Sequence, residues 1–312
     1  MHAAVVTAFD SPPSYREFPT PSPHPPDEML VDVIATGLHP RVRSQAEGSH
    51  YTSTGELPLV PGIDGVGRAP DGGLCYFVLP DTAMGAMAEQ TVIDRRLSVP
   101  LPDGVDPILV AAAVNPVMSS WIALRRRIDF EPGQSVLVLG ATGNSGRMAV
   151  QVAKHLGAGH VIGAGRDPRR LAALTELGAD TTVALGDAEA LARAADVDVV
   201  IDYLWGSITV EAMTAIVTNR NDRGKPLTWI EIGSVAGGFA AIPSAALRAA
   251  RLQIIGSGQG SVPTRDIVAE LPAIADQISK GAFRVDARAV PLADVEVAWN
   301  DTDTTQRIVV TP

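Results

Sequence analysis

The stretch Leu137–Ala158, LVLGATGNSGRMAVQVAKHLGA, carries three glycines at three-residue spacing: Gly140, Gly143 and Gly146. An apolar run, SVLVLG (135–140), leads into it. Met148, Ala149, Val152, Ala153 and Leu156 then fall on one face of a helix, and a second apolar run, HVIGAG (160–165), closes the unit. Strand, glycine turn, helix and strand within about thirty residues is the setting that cradles a dinucleotide pyrophosphate. Gly140 suits the tight turn. Gly143 lets the backbone approach the phosphates, and Gly146 lets helix and strand pack closely. The N-terminus of the helix adds N–H donors and the positive end of its dipole. Thr142, which stands where the commonest G-x-G-x-x-G form has a glycine, joins the three glycines, Asn144 and Ser145 as candidates for binding the cofactor.

The end of the second strand separates the two nicotinamide dinucleotides. An NAD site places Asp or Glu there to bind the adenine ribose hydroxyls. Here Gly165 lies in that position, and Arg166, Arg169 and Arg170 follow. A carboxylate would repel a 2′-phosphate, whereas arginine binds one bidentately. Asp167 comes too late to take the acid's part. The residues therefore point to NADPH, held by Gly165, Arg166 and Arg170.

On either side of this unit the texture is uneven. From about Pro116 the chain alternates helices with apolar strands. A helix covers VMSSWIALRRRI (117–128), with Val117, Trp121, Leu124 and Ile128 at helical spacing. After the second strand come the helix DPRRLAALTELG (167–178), the strand TTVAL (181–185) and the helix EALARAA (189–195). The strand VDVVIDYL (197–204), the helix TVEAMTAIV (209–217) and the strands LTWIEIGS (227–234) and LQIIGS (252–257) complete the series. Buried strands alternating with helices predict a doubly wound parallel sheet covered on both faces. The first hundred residues read as irregular β: HAAVVTAF, MLVDVIATGL, LCYFVL and AEQTVID, separated by Pro and Gly clusters. The tail, with a strand at ARAVPL, a short helix at ADVEVAWN and a strand at RIVVT, departs from the alternation and is expected to return to the first domain.

The 312 residues are enough for about two domains. Acids outnumber bases 35 to 25, a net charge of −10, which argues against nucleic acid or an anionic membrane as partner. The single cysteine, Cys75, allows no disulfide within the chain and no site with two cysteine ligands. It reads as a small buried hydrophobe. No signal peptide and no membrane span is expected, so the chain reads as soluble and cytoplasmic.

The whole chain resembles the medium-chain dehydrogenase/reductase superfamily, in its zinc-free quinone oxidoreductase branch. The resemblance rests on LPLVPGIDGVG (57–67), EPGQSVLVLGATGNSG (131–146), VDVVIDYLWG (197–206) and the closing RIVVTP. It implies a GroES-like catalytic domain from residues 1–114 and 284–312, a Rossmann NADPH-binding domain from 115–283, and an active site between them. It also implies a homodimer, which the apolar sixth strand at the sheet edge favours. Zinc members carry a Cys where this chain has Leu38 and His-Glu where it has Ile63-Asp64. A further zinc ligand falls near NPVMSS, which lacks a cysteine, and the four-cysteine lobe is absent. The family's metal is therefore not expected. The branch's NPVD-like motif is replaced here by HPRV, so His39 stands for its Asn and Val42 for its Asp. Tyr51 matches a region that often supplies a substrate-facing tyrosine.

Without zinc as Lewis acid, the acceptor must carry its own activation, as quinones and conjugated enones do. The expected reaction is hydride delivery from NADPH to a quinone or an α,β-unsaturated carbonyl. Tyr51 and His39 are the candidate catalytic groups, as hydrogen-bond partners of the developing oxyanion, and His39 could instead hold the nicotinamide ribose. Asn115 and Ser119 are placed toward the nicotinamide carboxamide or a phosphate. Leu204, Gly233, Ser234 and Ser257 follow strands four to six at the carboxyl edge, where such sheets bind ligands. Trp121 and Trp205 could stack on a flat substrate or pack in the core. Two other readings stay open: a 2-enoyl-thioester reductase, and a catalytically silent NADPH-binding sensor.

Overall fold

A computed structural model describes residues 1–302 and 305–312. The chain divides into two units, Pro116–Ile267 and Met1–Asn115 with Val268–Pro312.

The central unit is a Rossmann fold. Its strands are β1 (Ser135–Leu139), β2 (His160–Gly165), β3 (Thr181–Ala184), β4 (Val199–Asp202), β5 (Leu227–Glu231) and β6 (Leu252–Gly256). They pair in parallel in the order 3-2-1-4-5-6, with β3 and β6 at the edges. The order reverses between β1 and β4, the switch point at which such sheets bind ligands. The helices α1 (Asn144–His155), α2 (Pro168–Ala173), α3 (Ala188–Ala192), α4 (Gly206–Asn219) and α5 (Ser244–Ala249) cover it. Alternate residues serve the two faces. Leu137, Leu139, Ile162, Ala164, Val200, Leu227 and Trp229 share one core with Leu191 of α3 and Met213, Ile216 and Val217 of α4. Helix α1 lies against β1 and β2.

The helix expected from Val117 begins ten residues earlier, at Pro107, and runs to Arg126. Pro116 sits inside it and removes one backbone donor. Val110–Val114 and Val117 are nonetheless buried, and packing carries the helix through the proline. By length and hydropathy this helix is long and apolar enough to cross a membrane, contrary to expectation. In this fold 67% of its most apolar window is buried inside the protein, as in a core helix.

The other unit is GroES-like irregular β, built from both chain ends. The hairpin strands His2–Val5 and Ser14–Glu17 pair with each other. A mixed sheet runs Ala287–Pro291, Arg307–Thr311, Glu28–Leu38, Asp64–Arg68, Leu74–Val78 and Ser98–Pro100, with Gln90–Asp94 also paired to Glu28–Leu38. The tail strand places Ile308 opposite Leu38. The glycine-rich strand DGVGR was not foreseen, because glycine weakens strand propensity. Here it serves close approach: a Cβ on Gly65 would lie 2.9 Å from the Ala35 carbonyl oxygen, and one on Gly67 3.0 Å from Val31 Cγ2. The second crossing between units falls at 267/268 rather than at the expected 283/284. Helix Leu271–Ser279 goes with the first unit because it packs on strand Ser98–Pro100.

Candidate functional site

The loop after β1 is a tight backbone turn. Gly140 has φ +81°, a region that glycine enters without strain. Gly140 and Ala141 donate to the Ala164 carbonyl on β2, and Gly143 donates to Gly140. A Cβ at Gly146 would lie 2.1 Å from the Gly140 oxygen, so only glycine lets α1 start this close to the turn. Gly143 precedes α1, and no side chain caps the helix. The first-turn N–H groups of Asn144, Ser145 and Gly146 therefore have no intrahelical acceptor and no capping side chain. This donor set fits a pyrophosphate.

At the end of β2, Gly165 is buried and Thr142 lies over it. A Cβ at Gly165 would meet Thr142 Cγ2 at 2.6 Å. The threonine in the turn and the missing acid on β2 are thus one structural feature. Asp167 caps α2, its carboxylate accepting from the Arg169 and Arg170 N–H groups. Those bonds hold its pKa below the ordinary value, and they explain why it does not stand in for the acid. Arg166 and Arg169 are exposed and Arg170 is half-buried.

Sequence reasoning missed the knot that shapes the loops after β4 and β5. Asp202, buried at the end of β4, accepts from the Leu204 and Trp205 N–H groups, the Thr209 hydroxyl and the Trp229 indole. It holds Trp205 at φ +55°, the only positive φ outside glycine among the described residues. A bulky residue rarely occupies this region. The knot sets Leu204 against the first turn, where a Cβ on Gly140 would lie 3.0 Å from Leu204 Cδ2. Ile232 and Gly233 donate to the Asp202 carbonyl, and Ser257 donates its N–H to that of Glu231. Glu231, whose pKa burial and the nearby Asp202 raise, ends β5. Ser234 is exposed and Ser257 buried at the same carboxyl edge. A signal for the knot was available: Asp202 is a lone charge ending an apolar strand.

Ser119, expected to face a phosphate or the carboxamide, is half-buried. Its hydroxyl bonds the Pro116 carbonyl and, at 2.9 Å, the Tyr203 hydroxyl. Asn115, one turn earlier in the helix, is half-buried. Trp121 is a core residue at 4% exposure, against His155 and Arg125. Trp205 is half-buried.

In the GroES-like unit, His39 begins helix Pro40–Ala46 and is 3% exposed. Its Nε2 lies 3.2 Å from Asp64 Oδ1, and Tyr76 donates its hydroxyl to Asp64 Oδ2 at 2.5 Å. Thr36 bonds the Asp64 carbonyl, and buried Arg307 donates to the Leu38 carbonyl. Burial lowers the His39 pKa against the pull of Asp64. Leu38 and Ile63, where zinc members carry ligands, lie in one apolar cluster with Val42 and Ile308. Neither side chain offers a donor atom, so the residues present do not fit zinc. Among the described residues no three His, Cys, Asp or Glu side chains form a metal-holding group. Tyr51 is 70% exposed and rests on the His50 ring. The two candidate catalytic groups thus differ sharply: His39 is sealed in the core and Tyr51 faces solvent.

A family model described as zinc-binding dehydrogenase matches residues 146–274. A probable NADPH-dependent quinone reductase of Emericella nidulans is 35% identical, over 100% of this chain and 100% of that protein. A chloroplastic NADPH-dependent alkenal/one oxidoreductase of Arabidopsis thaliana is 25% identical, over 67% of this chain and 63% of that one. The solved quinone oxidoreductase of Thermus thermophilus, also determined in complex with NADPH, superposes with a TM-score of 0.85 at 25% identity, over all of both chains.

Proposed function

The chain belongs to the medium-chain dehydrogenase/reductase superfamily as an NADPH-dependent, quinone reductase-like oxidoreductase, and from that premise we propose that it reduces quinones and α,β-unsaturated carbonyls without a metal. The observation that carries this reading is the cradle with its acid-free second strand. The N–H groups of Asn144, Ser145 and Gly146 take the pyrophosphate, and Arg166 and Arg170 take the 2′-phosphate. Leu204, Gly233, Ser234 and Ser257, at the carboxyl edge, are the residues proposed for the nicotinamide end, and Asn115 and His39 are kept as candidate polar partners of the ligand. NADPH, when bound, supplies the hydride. The protein's own task is then orientation and exclusion of water.

Negative charge arriving on a quinone or enone spreads through its conjugated system, so one neutral hydrogen-bond donor is sufficient help. Tyr51 is the proposed donor. The metal-free part of the reading is supported by Leu38 and Ile63, apolar residues at two ligand positions. A homodimer is proposed on the edge strand β6, whose Leu252, Ile254 and Ile255 are half-buried. Sedimentation as a monomer at micromolar concentration counts against it. A soluble, cytoplasmic enzyme is proposed; the burial of the long apolar helix within its own fold is that of a core helix and supports the first part alone.

The test is NADPH oxidation by the purified protein with quinones, enones, 2-enoyl thioesters and saturated aldehydes, alongside elemental analysis. Turnover of quinones and enones by metal-free protein is expected. Preference for the thioesters would make it an enoyl-thioester reductase. NADPH binding with no turnover on any acceptor would make it a sensor. Stoichiometric zinc needed for activity would overturn the metal-free mechanism.

A further inference from the structure

A conjugated enone or a quinone accepts hydride because its β carbon is poor in electrons. The same carbon takes a thiolate or an amine. The nucleophile's unshared pair forms an S–C or N–C bond, the C=C pair shifts toward the carbonyl, and the nucleophile's proton ends on the α carbon. A quinone ends as the substituted hydroquinone, so no outside oxidant or reductant is needed. A protein that turns over such acceptors is exposed to alkylation by them, and the nucleophiles of this chain are few and guarded.

The chain has one thiol, Cys75. It is 6% exposed and packs in an apolar cluster with Met29, Val31, Val33, Phe77 and Ile93. A groove of about 300 Å³, lined by Met29, Asp71, Leu74, Cys75 and Pro100 among others, runs beside it. A small enone fits that groove, so the remaining barrier is chemical. The reacting species is the thiolate. Burial, and after it the charge of Asp71, push the thiol up to about 11.

The 25 basic residues include three lysines, Lys154, Lys225 and Lys280; the rest are arginines, whose guanidinium stays charged and has no pair to give. An ammonium has none either, and each of the three is held in an ion pair. Lys154 Nζ lies 2.6 Å from Asp180, Lys225 Nζ 2.6 Å from Asp198, and Lys280 Nζ 2.7 Å from Asp276. The imidazoles add more slowly than a thiolate; His39 is buried, while His24, His155 and His160 are exposed. The Met1 ammonium donates to the Phe18 carbonyl.

We propose that the fold withholds its thiol and its lysine amines from conjugate addition, so that the protein meets electrophilic acceptors without being alkylated on either. That the acceptors are electrophilic rests on the functional reading above; the guarding of the nucleophiles does not.

The experiment is mass spectrometry of the intact full chain, followed by peptide mapping, after incubation near neutral pH with excess but-3-en-2-one and, separately, 1,4-benzoquinone. NADPH is left out, so turnover plays no part in the readout. The folded wild type should carry no adduct on Cys75, Lys154, Lys225 or Lys280 over a time in which the chain unfolded in guanidinium chloride gains one on Cys75. Slow adducts confined to His24, His155, His160 and the α-amino group are expected and support the proposal. Lys280→Cys supplies the internal standard, since that side chain is 65% exposed. Its introduced thiol should react about a hundredfold or more faster than Cys75, the ratio that a rise from 9.0 to about 11 gives in thiolate. Cys75 reacting within about tenfold of the introduced thiol, or lysine adducts forming as fast on the folded as on the unfolded chain, would overturn the proposal. Unmodified protein that also fails to oxidise NADPH with either compound would instead remove the functional reading and leave the guarded nucleophiles standing.

Discussion

The phosphate cradle and the Asp64 centre both depend on close packing, and they are built in opposite ways. The cradle is backbone. Its parts lie within Gly140–Arg170, and its precision comes from missing side chains at Gly140, Gly146 and Gly165. The Asp64 centre is side chain. It gathers Thr36, His39, Asp64, Tyr76 and Arg307, whose bond to Leu38 joins positions 269 residues apart. A site made by subtraction should fail sterically when atoms are added. A site made by polar pairing should fail through charge and proton position.

The largest effect tests that contrast within the cradle. Gly146→Val adds atoms where even a Cβ lies 2.1 Å from the Gly140 oxygen and 2.6 Å from Ala141 Cα, both backbone. No flexible side chain can move aside, so a loss on the order of 3 kcal/mol or more in unfolding free energy is expected. Gly143→Ala is the sharper partner. Its φ of −80° suits alanine, and the nearest atom to the added carbon is 3.5 Å away. Its cost should appear in NADPH affinity while thermal stability stays near wild type. Equal loss of stability in both variants would mean the turn is only a turn.

Next in size is the choice of cofactor. Arg166→Ala should remove most of the preference for NADPH over NADH, about tenfold or more, because a hydrogen bond to a charged group is worth roughly 1.5–3 kcal/mol. Gly165→Asp should lower NADPH affinity by repulsion yet gain little NADH binding, because its Cβ would meet Thr142 Cγ2 at 2.6 Å. Adding Thr142→Gly should release the carboxylate and let NADH bind better. If Gly165→Asp alone converts the enzyme to NADH, the threonine does not hold the position closed.

The same contrast explains what the sequence revealed. Gly140, Gly143 and Gly146 are separated by fixed short intervals because one local turn requires them, so the turn could be read before any contact was known. The parallel, helix-covered sheet followed from continuous apolar runs alternating with helices. The start of the long helix was hidden because Pro116 looks like a boundary and is instead an interior residue held by packing. Strand Asp64–Arg68 was hidden because its glycines, chosen for close approach, read as turn residues. The bond between Ser119 and Tyr203 and the pairing of His39 with Asp64 leave no spacing to detect, since they join residues 84 and 25 positions apart. Asp202 and Asp64 were visible only as single acids in apolar surroundings.

The smallest expected effect reads the Asp64 centre through stability. Burial, with Arg307 and Arg41, lowers the folded-state pKa of His39 below its ordinary value of 6.5. Between the lowered value and about 6.5 the unfolded chain binds more protons than the folded one, so stability must fall as pH falls through this window. The contribution of neutral His39 is fully present above about pH 6.5, the value for an unfolded histidine, and is lost toward the folded pKa. The limiting slope for one such group is about 1.4 kcal/mol per pH unit. His50, lowered to about 4 chiefly by burial, adds a slope of the same sign over the same range. The measurement is therefore a difference: denaturant unfolding of wild type and His39→Asn at several pH values from 7 down to 5. The His50 slope is common to both chains and cancels. Wild type should lose stability relative to the variant as the pH drops, and the difference should stop changing with pH above pH 7. A pH-independent difference throughout would mean that His39 takes up its proton as readily folded as unfolded, and a difference of opposite sign would mean that Asp64 holds a charged partner.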